Sequence, residues 1–443
     1  MKIALIHSHL SSRGGSQRYV IEIANNLQNL GIEVDVYCYE YNKNACYLEL
    51  TNGLSVSKVY TREVVKNNAI QQSKQNLIKK ILKKAYGNNF VKNLVNTFGI
   101  DYLYSIYSTQ QKAKKVSDII FNSKNNYDLI FAHEEPLSVY AAIKYKKISS
   151  IPIYWFCYDT IEKWFLEWKD KHKNSLIRKI LLKNIYFKYD KFIINKYVDK
   201  TAVLDNNMLR RYQKLYHKTP LIRRGGIPEE IFQNERKNVI REKYSLPNDT
   251  VIIFILTRFV NYRRVHDIFD MYKKLSNEIQ DKVFIYLNSP ITDQNYYDWC
   301  TVKYKNILSL KNIVIDLGYP RNDDEMYKMY QSSNIFIFPN ENQTWGHAPL
   351  EAMGSGVATF VSNGCGISEV ISQITPETIF EVGDTAELSQ KIERVITDKT
   401  YEEISSKQIS YVKKNLTWKK ICEVYVDDFK EMIGDKFNVQ HLR

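Results

Sequence analysis

Between Ile335 and Glu369 the chain sets out, in order, an apolar run (Ile335–Phe338), a polar loop with Gln343 and Gly346, a helix start at Pro349 with Glu351 just inside it, a second apolar run (Ala358–Ser362), and a loop with Gly364, Gly366 and Glu369. Pro349 suits the first position of a helix, where its missing N–H costs no hydrogen bond. The free N–H groups of that helix start, beside Gly346, favour an anion such as a pyrophosphate. Glu351, read on the first turn, can reach back to the loop and bind hydroxyls, and Gly364 and Gly366 let backbone approach a ligand closely. Phosphate and hydroxyl recognition side by side suit a nucleotide sugar.

Other chemistry-bearing residues stand just after apolar runs. Arg258 follows Val251–Leu256, with Arg263 and Arg264 a few residues on; two cations facing a diphosphate offset leaving-group charge as a glycosidic bond breaks. His133 follows Asp128–Ala132, and an imidazole at a strand end can hydrogen-bond a sugar hydroxyl or orient an acceptor. Gly14 and Gly15 follow the first strand, where backbone N–H groups can meet phosphate oxygens. Each has a plainer reading: a core histidine, a tight turn, surface arginines in salt bridges. Gly225-Gly226-Ile227-Pro228 reads equally as an inter-domain turn.

The elements that must position these residues follow from periodicity. Lys2–His7 reads as a strand, Gln17–Leu30 as a helix with Val20, Ile23, Ala24, Leu27 and Leu30 on one face, and Gly31 as its C-terminal cap. Glu33–Cys38, Tyr127–Ala132 and Ile153–Phe156 continue the series. A second series begins near Leu221: Val251–Leu256, Val283–Leu287, Ile313–Leu317, Ile335–Phe338 and Ala358–Ser362. Strand and helix in alternation mean parallel sheets covered on both faces, with ligands at the carboxyl ends of the strands. The chain of 443 residues suits two domains. The expected divisions are 1–220, 221–412 and a final segment 413–443 whose helix spans about Thr417–Ile433.

Composition narrows the function. The six cysteines are scattered with no C-x-x-C pair, and the eight histidines show no metal-ligand spacing, so neither a zinc site nor a disulfide framework is expected. No G-x-G-x-x-G follows the first strand and no Walker loop or nucleophile elbow occurs. No apolar run reaches transmembrane length, and the N-terminus does not read as a signal peptide, so a cytoplasmic location is expected. The net charge of +14 is unevenly spread: residues 1–220 hold 35 Lys and Arg against 18 Asp and Glu, a net of +17, and the remainder carries −3. Lys-rich amphipathic stretches at 71–96 (Lys79, Lys80, Lys83 and Lys84 opposite Leu77, Ile78 and Ile81) and 163–200 (Trp164, Phe165, Trp168) suit either solvated helices or membrane-surface elements. No recognised nucleic-acid motif accompanies the charge.

The 335–369 stretch resembles the C-terminal signature of the retaining glycosyltransferases of family 4, of GT-B architecture. Trp345, Gly346, Pro349, Glu351, Ala352, Met353, Gly366 and Glu369 sit at matching places. The departure is Gln343, which stands where the family has the Glu that contacts the transferred sugar; the nearest acid, Glu341, is two residues early. The family also has a strand-end His at the place of His133, a donor-facing loop at Gly14-Gly15, and a Gly-Arg with a later Lys where this chain has Thr257-Arg258 and Arg263 or Arg264. The resemblance implies two Rossmann-like domains facing a cleft, with the last helix crossing back to the first domain. It implies that the first domain binds the acceptor and the second a GDP- or UDP-sugar, with no further cofactor and no metal. His133, Arg258, Arg263, Gln343 and Glu351 are then the catalytic set. Gly14, Gly15, His347, Ala348, Pro349 and Leu350 join Arg258, Arg263, Gln343 and Glu351 in holding the donor, with Glu351 on the ribose. Gly14-Gly15-x-x-Arg18 and Cys46-Tyr47-Leu48-Glu49 loosely resemble mannosyltransferases of lipid-linked oligosaccharide assembly. Together with the +17 half, this implies a hexosyltransferase peripheral to the cytoplasmic face of an anionic membrane, with a polyprenyl-phosphate-linked glycan acceptor and no nucleic-acid partner. A soluble sugar synthase and an inactive partner subunit, suggested by Gln343, stay open as alternatives.

Overall fold

The computed structural model describes residues 1–61, 100–134, 136–160, 180, 184, 186–233, 237–318 and 322–434. The expected helix over 71–96 and the aromatic segment Trp164–Trp168 lie outside the described residues. The chain forms two units: Met1–Arg223 joined by the C-terminal segment from Cys422, and Arg224–Ile421.

The first unit is built on a seven-stranded sheet of β1 (Lys2–Leu10), β2 (Glu33–Tyr41), β3 (Ser55–Thr61), β4 (Leu129–His133), β5 (Ile153–Phe156), β6 (Lys200–Val203) and β7 (Leu221–Ile222), in the order β3-β2-β1-β4-β5-β6-β7. Every pairing is parallel. Parallel strands are covered on both faces, and so β4 and β5 are buried throughout rather than alternating. Helices α1 (Gly15–Asn29), α2 (Ile100–Asn122), α3 (Leu137–Ser149), α4 (Phe187–Tyr197) and α5 (Asn206–Tyr216) supply the cover. The α1 face of Val20, Ile23, Ala24 and Leu27 is buried as its spacing requires, and Gly31, at φ +80°, closes the helix with its N–H donating to the Gln28 carbonyl. The second alternating series does not start at Leu221. Leu221 and Ile222 pair with Ala202 and Val203 and extend the first sheet, so the units divide three residues later than the expected break at 220.

The second unit holds β8 (Val251–Leu256), β9 (Val283–Asn288), β10 (Ile313–Asp316), β11 (Ile335–Phe338), β12 (Ala358–Ser362) and β13 (Ile379–Phe380), in the order β10-β9-β8-β11-β12-β13, again all parallel. Ile253, Ile255, Ile285, Leu287, Ile335 and Ile337 form the middle of its core. Helices α6 (His266–Lys274), α7 (His347–Gly354) and α8 (Tyr401–Asn415) follow, then α9 (Trp418–Ile433), which begins in this unit and passes at Cys422 into the first. There Tyr425 and Phe429 pack on Phe131, both with ring centroids at 5.4 Å, and Asp428 accepts from Tyr154 Oη and from both Nε and Nη2 of Arg223.

Strand order reverses between β1 and β4 in the first unit and between β8 and β11 in the second. Connections leave on opposite faces at such a switch point, which opens a crevice at the strands' carboxyl ends. Gly14 follows β1 and His133 ends β4; Arg258 and Gln343 follow β8 and β11.

Candidate functional site

In the second unit the β8 exit is pinned before it can present cations. Phe259 is buried and its N–H donates to the Pro290 carbonyl. A tight turn over Asn261–Arg263 ends at Arg264, whose φ of +52° lies in the left-handed region. Arg264 is then spent on structure, with Nε and Nη2 on the Asp267 carboxylate at 2.6 and 3.0 Å. Both arginines that sequence left as alternatives reach the β11 loop, Arg264 at Glu341 (3.7 Å) and Arg263 at Gln343, but only Arg263 lacks a carboxylate partner among the described residues. Its Nη1 donates to Gln343 Oε1 and to the Asn340 amide oxygen, while the Asn340 amide nitrogen donates to the Arg263 carbonyl at 3.1 Å. Its Nε is buried without a partner, and its guanidinium lies 5.1 Å from the Tyr262 ring centre. Burial pushes the Arg263 pKa down, and Arg258 nearby adds to the shift. Among the described residues no carboxylate lies within ion-pair distance of Arg263. Arg263 is half-buried, and amides accept its hydrogen bonds but leave its charge in place, so among the described residues the site holds a cation with no carboxylate partner. Arg258 is half-buried, its Nη2 3.4 Å from Tyr262 Oη.

The β11 loop is built as a cradle. Gln343 N–H donates to the Gly364 carbonyl, and the Gln343 carbonyl accepts from Gly366 N–H at 2.9 Å, which ties this loop to the one after β12. Gly364 has no room for a side chain: a Cβ would overlap the Glu341 carbonyl oxygen and lie 2.8 Å from that of Asn340. Trp345 (φ +57°, buried) and Gly346 (φ +119°) turn the chain into α7. Behind them Arg224 lies 5.3 Å from the Trp345 ring centre and pairs with Glu369 at 2.9 Å, so Glu369 serves as a latch.

Helix α7 starts at His347 with Gly346 as N-cap, so Pro349 occupies its third position and not the first. The first turn leaves its N–H groups unbonded in any case, and a proline there removes nothing the helix uses. His347 and Ala348 are half-buried and present their N–H groups at the helix start; Pro349 and Leu350 are buried. Glu351 therefore falls on the second turn, not the first. Its carboxylate is buried, and Oε2 accepts from Tyr330 Oη at 3.4 Å.

Sequence reading missed three polar side chains at the same strand ends. Thr257 Oγ1, Asn288 Oδ1 and Ser289 Oγ are buried without partners. Such atoms carry a desolvation cost unless something hydrogen-bonds them. The signal available was the Asn288-Ser289 pair that closes the apolar run Val283–Leu287.

In the first unit the expected glycine loop is shorter than read. Gly14 is the extended N-cap of α1, and Gly15 is its first residue. Arg13 is stacked 5.1 Å from the Tyr47 ring centre and pairs with both oxygens of Glu49. His133 ends β4 as expected, but its imidazole is enclosed. It is 0% exposed, stacked on Phe156 at 5.0 Å and edge-on to Tyr158 at 4.9 Å. Burial first, and His7 second, hold its pKa well below the ordinary value, so it is a neutral core histidine. The polar group at this strand end is the next residue. Glu134 has φ +83°, uncommon for a residue with a Cβ, and its carboxylate accepts from Ser8 and Ser16 and lies 3.5 Å from His7 Nε2.

Among the described residues no group of three or more His, Cys, Asp or Glu gathers as a metal site, and no helix is long and apolar enough to cross a membrane. Residues 236–415 match the family model described as glycosyl transferases group 1. The serotype-specific mannosyltransferase WbdA of Escherichia coli is 23% identical over 203 residues, covering 46% of this chain and 24% of WbdA. The alpha-1,3/1,6-mannosyltransferase ALG2 of Yarrowia lipolytica is 46% identical over 54 residues, which is 12% of either chain. The chain thus spans about a quarter or less of these relatives' own lengths. The crystal structure of HepE from Anabaena in complex with UDP and glucose superposes on 97% of this chain and 100% of its own, with a TM-score of 0.66 at 13% identity. The shared fold is the GT-B architecture of two parallel α/β units.

Proposed function

From the match of residues 236–415 to the group 1 glycosyl transferase model, on a GT-B fold, we propose that the protein transfers a hexose from a GDP- or UDP-sugar with retention of anomeric configuration. The observation that carries the reading is Arg263: a half-buried guanidinium bonded to amides, with its Nε buried and unpartnered, at the switch-point crevice of the second unit. A ligand diphosphate supplies the missing negative charge and the missing acceptor. Arg258 adds a second cation, and both offset the charge that grows on the leaving diphosphate. The α7 start adds the N–H groups of His347 and Ala348 beside Pro349 and Leu350. Gln343 and these N–H groups face the sugar, and Glu351 holds the ribose hydroxyls. Thr257, Asn288 and Ser289, with their orphaned polar atoms, complete the nucleotide contacts.

The first unit binds the acceptor. Glu134 takes the role that sequence gave to His133, which packs on Phe156 within the core. The mannosyltransferase names among the relatives support mannose as the hexose. The +17 of residues 1–220 supports a lipid-linked glycan acceptor at an anionic membrane on the cytoplasmic side, and no nucleic acid. Fixed cations and a helix start do the charge stabilisation, so the reaction runs without a metal. Transfer or donor hydrolysis assayed with GDP-mannose and UDP-glucose in excess EDTA tests this. Turnover that persists supports the reading. Complete loss restored by Mg²⁺ would show the diphosphate is held through a metal, and no turnover of any donor under either condition would favour a non-catalytic subunit.

A further inference from the structure

The outer face of α4 sets exposed aromatic side chains among lysines. Its buried side is conventional: Asp190 accepts from Tyr140 Oη and Tyr216 Oη, and Ile193 and Ile194 enter the core. Its outward side carries Tyr189, 50% exposed, and Phe192, 61% exposed, between Lys188 and Lys196. Spacings of one, four and eight residues put all four on one helical face. Soluble proteins expose single apolar side chains freely, so a lone Phe192 says nothing. The setting says more. Lys196 Nζ lies 5.7 Å from the Phe192 ring centre and 5.4 Å from that of Tyr197. Lys147, near the end of α3, lies 4.9 Å over the other side of this patch, on Tyr197. Beside Lys147 stands Ile148, 61% exposed. The patch therefore runs from α4 onto α3 as aromatic and aliphatic side chains interleaved with lysines.

Its charge is poorly balanced. Of the nearby acids, Asp190 is buried among tyrosines and Asp199 is engaged by Lys146. Burial, then Lys147 and Lys114, push the Lys144 pKa down, with Asp118 opposing only partly. Crowded like charges destabilise the surface that carries them, and an external negative charge relieves it.

We propose that this face, Tyr189, Phe192 and Ile148 with Lys147, Lys188 and Lys196, is a docking surface for an anionic phospholipid bilayer. The composition selects the partner. The patch named here contains lysine and no arginine; an ammonium is a point charge suited to a diffuse anionic surface, whereas planar guanidinium forks suit bidentate phosphate contacts in nucleic acid. Apolar side chains between lysines enter the boundary between headgroups and acyl chains while lysine stems reach back to the headgroups. The inference deepens the membrane reading above by naming the contact, and it does not depend on the transfer reaction.

The test is sedimentation of the full chain with vesicles of phosphatidylcholine containing 30% phosphatidylglycerol, against phosphatidylcholine alone. The wild type is compared with Y189S/F192S, with K147Q/K188Q/K196Q, and with a variant carrying Gln at Lys79, Lys80, Lys83 and Lys84. Three lysines at the surface should lower partitioning by about a hundredfold, at about 1 kcal/mol each. The serine pair should weaken binding that salt does not remove. Hydrogen exchange of the wild type gives a readout free of any folding defect: residues 187–197 should gain protection on anionic vesicles only. Unchanged partitioning of both patch variants, with loss only in the 79–84 variant, overturns the proposal. So does unchanged exchange at 187–197, or wild-type binding to single-stranded RNA but not to vesicles. Vesicle binding by a protein that transfers no sugar would support this surface while removing the catalytic reading.

Discussion

At the scale of single residues, Gln343 decides how the candidate site is charged. A carboxylate in its place would accept from Arg263 as the amide does but would also neutralise it. The amide therefore keeps the Arg263 charge available to a ligand. Gln343→Glu is expected to weaken UDP or GDP binding by about ten- to a hundredfold, the weight of one charge-assisted contact at roughly 1.5–3 kcal/mol, and to shift the ranking of hexose donors. Titration calorimetry on the variant reads the first effect and competition between donors the second; wild-type affinity together with the wild-type ranking would show that residue 343 touches neither diphosphate nor sugar. His133 supplies a second residue-scale prediction. Burial holds the pKa of both His133 and His7 below the ordinary value of 6.5, so the folded unit stays neutral where the unfolded chain takes up protons. Their contribution is whole above that value and is lost as pH falls through it toward the folded pKa, with a slope of up to about 1.4 kcal/mol per pH unit for each. His133→Phe removes one of the two. Its urea midpoint should fall less steeply than the wild type's between about pH 7.5 and pH 5, and parallel slopes would mean that His133 titrates alike in both states.

At the scale of elements, the loops after β11 and β12 act as one piece. Gln343 bridges to Gly364 and Gly366, and Gly364 leaves no space for a methyl group against the Glu341 backbone. Gly364→Ala should destabilise the second unit by about 1–3 kcal/mol, the usual cost of overpacking, and should lower nucleotide affinity with it. A variant with unchanged melting temperature and affinity would show that the two loops adjust independently. Much of this architecture was legible beforehand. Apolar runs ended by polar or glycine residues marked β1, β8, β9, β11 and β12, because parallel strands are buried on both faces and leave a continuous apolar signal. What was not legible depended on pairing or on orientation. Leu221 and Ile222 are two residues long, and only their partners Ala202 and Val203 assign them to the first sheet. The α7 start moved by two residues because proline is tolerated anywhere in a first turn, so Pro349 marks a helix start only loosely. His133 stood at the predicted strand end, but both faces of β4 are covered and the aromatic rings of Tyr19, Phe156 and Tyr158 enclose it, and no local pattern reveals that. Arg263 was separated from Arg264 only by Asp267, three residues on, which captures the latter.

At the scale of the whole molecule, the two units differ in charge as well as in the residues at their switch points. The first half carries all the excess positive charge, and the second is close to neutral. Bulk composition showed this asymmetry directly, but not where on the surface it would collect with apolar side chains, since α4 is amphipathic in sequence whichever face is outward. The central claim concerns the second unit: that a nucleoside diphosphate sugar is held through Arg258 and Arg263 without a metal. Titration of UDP and GDP into the full chain in excess EDTA, for the wild type, Arg258→Ala and Arg263→Ala, tests it most directly. The account predicts that one of the two nucleotides binds the wild type, and that each variant binds it about ten- to a hundredfold more weakly while keeping the wild-type melting temperature in the absence of nucleotide. Nucleotide affinity unchanged in both variants, or no affinity for either nucleotide in the wild type, would contradict it.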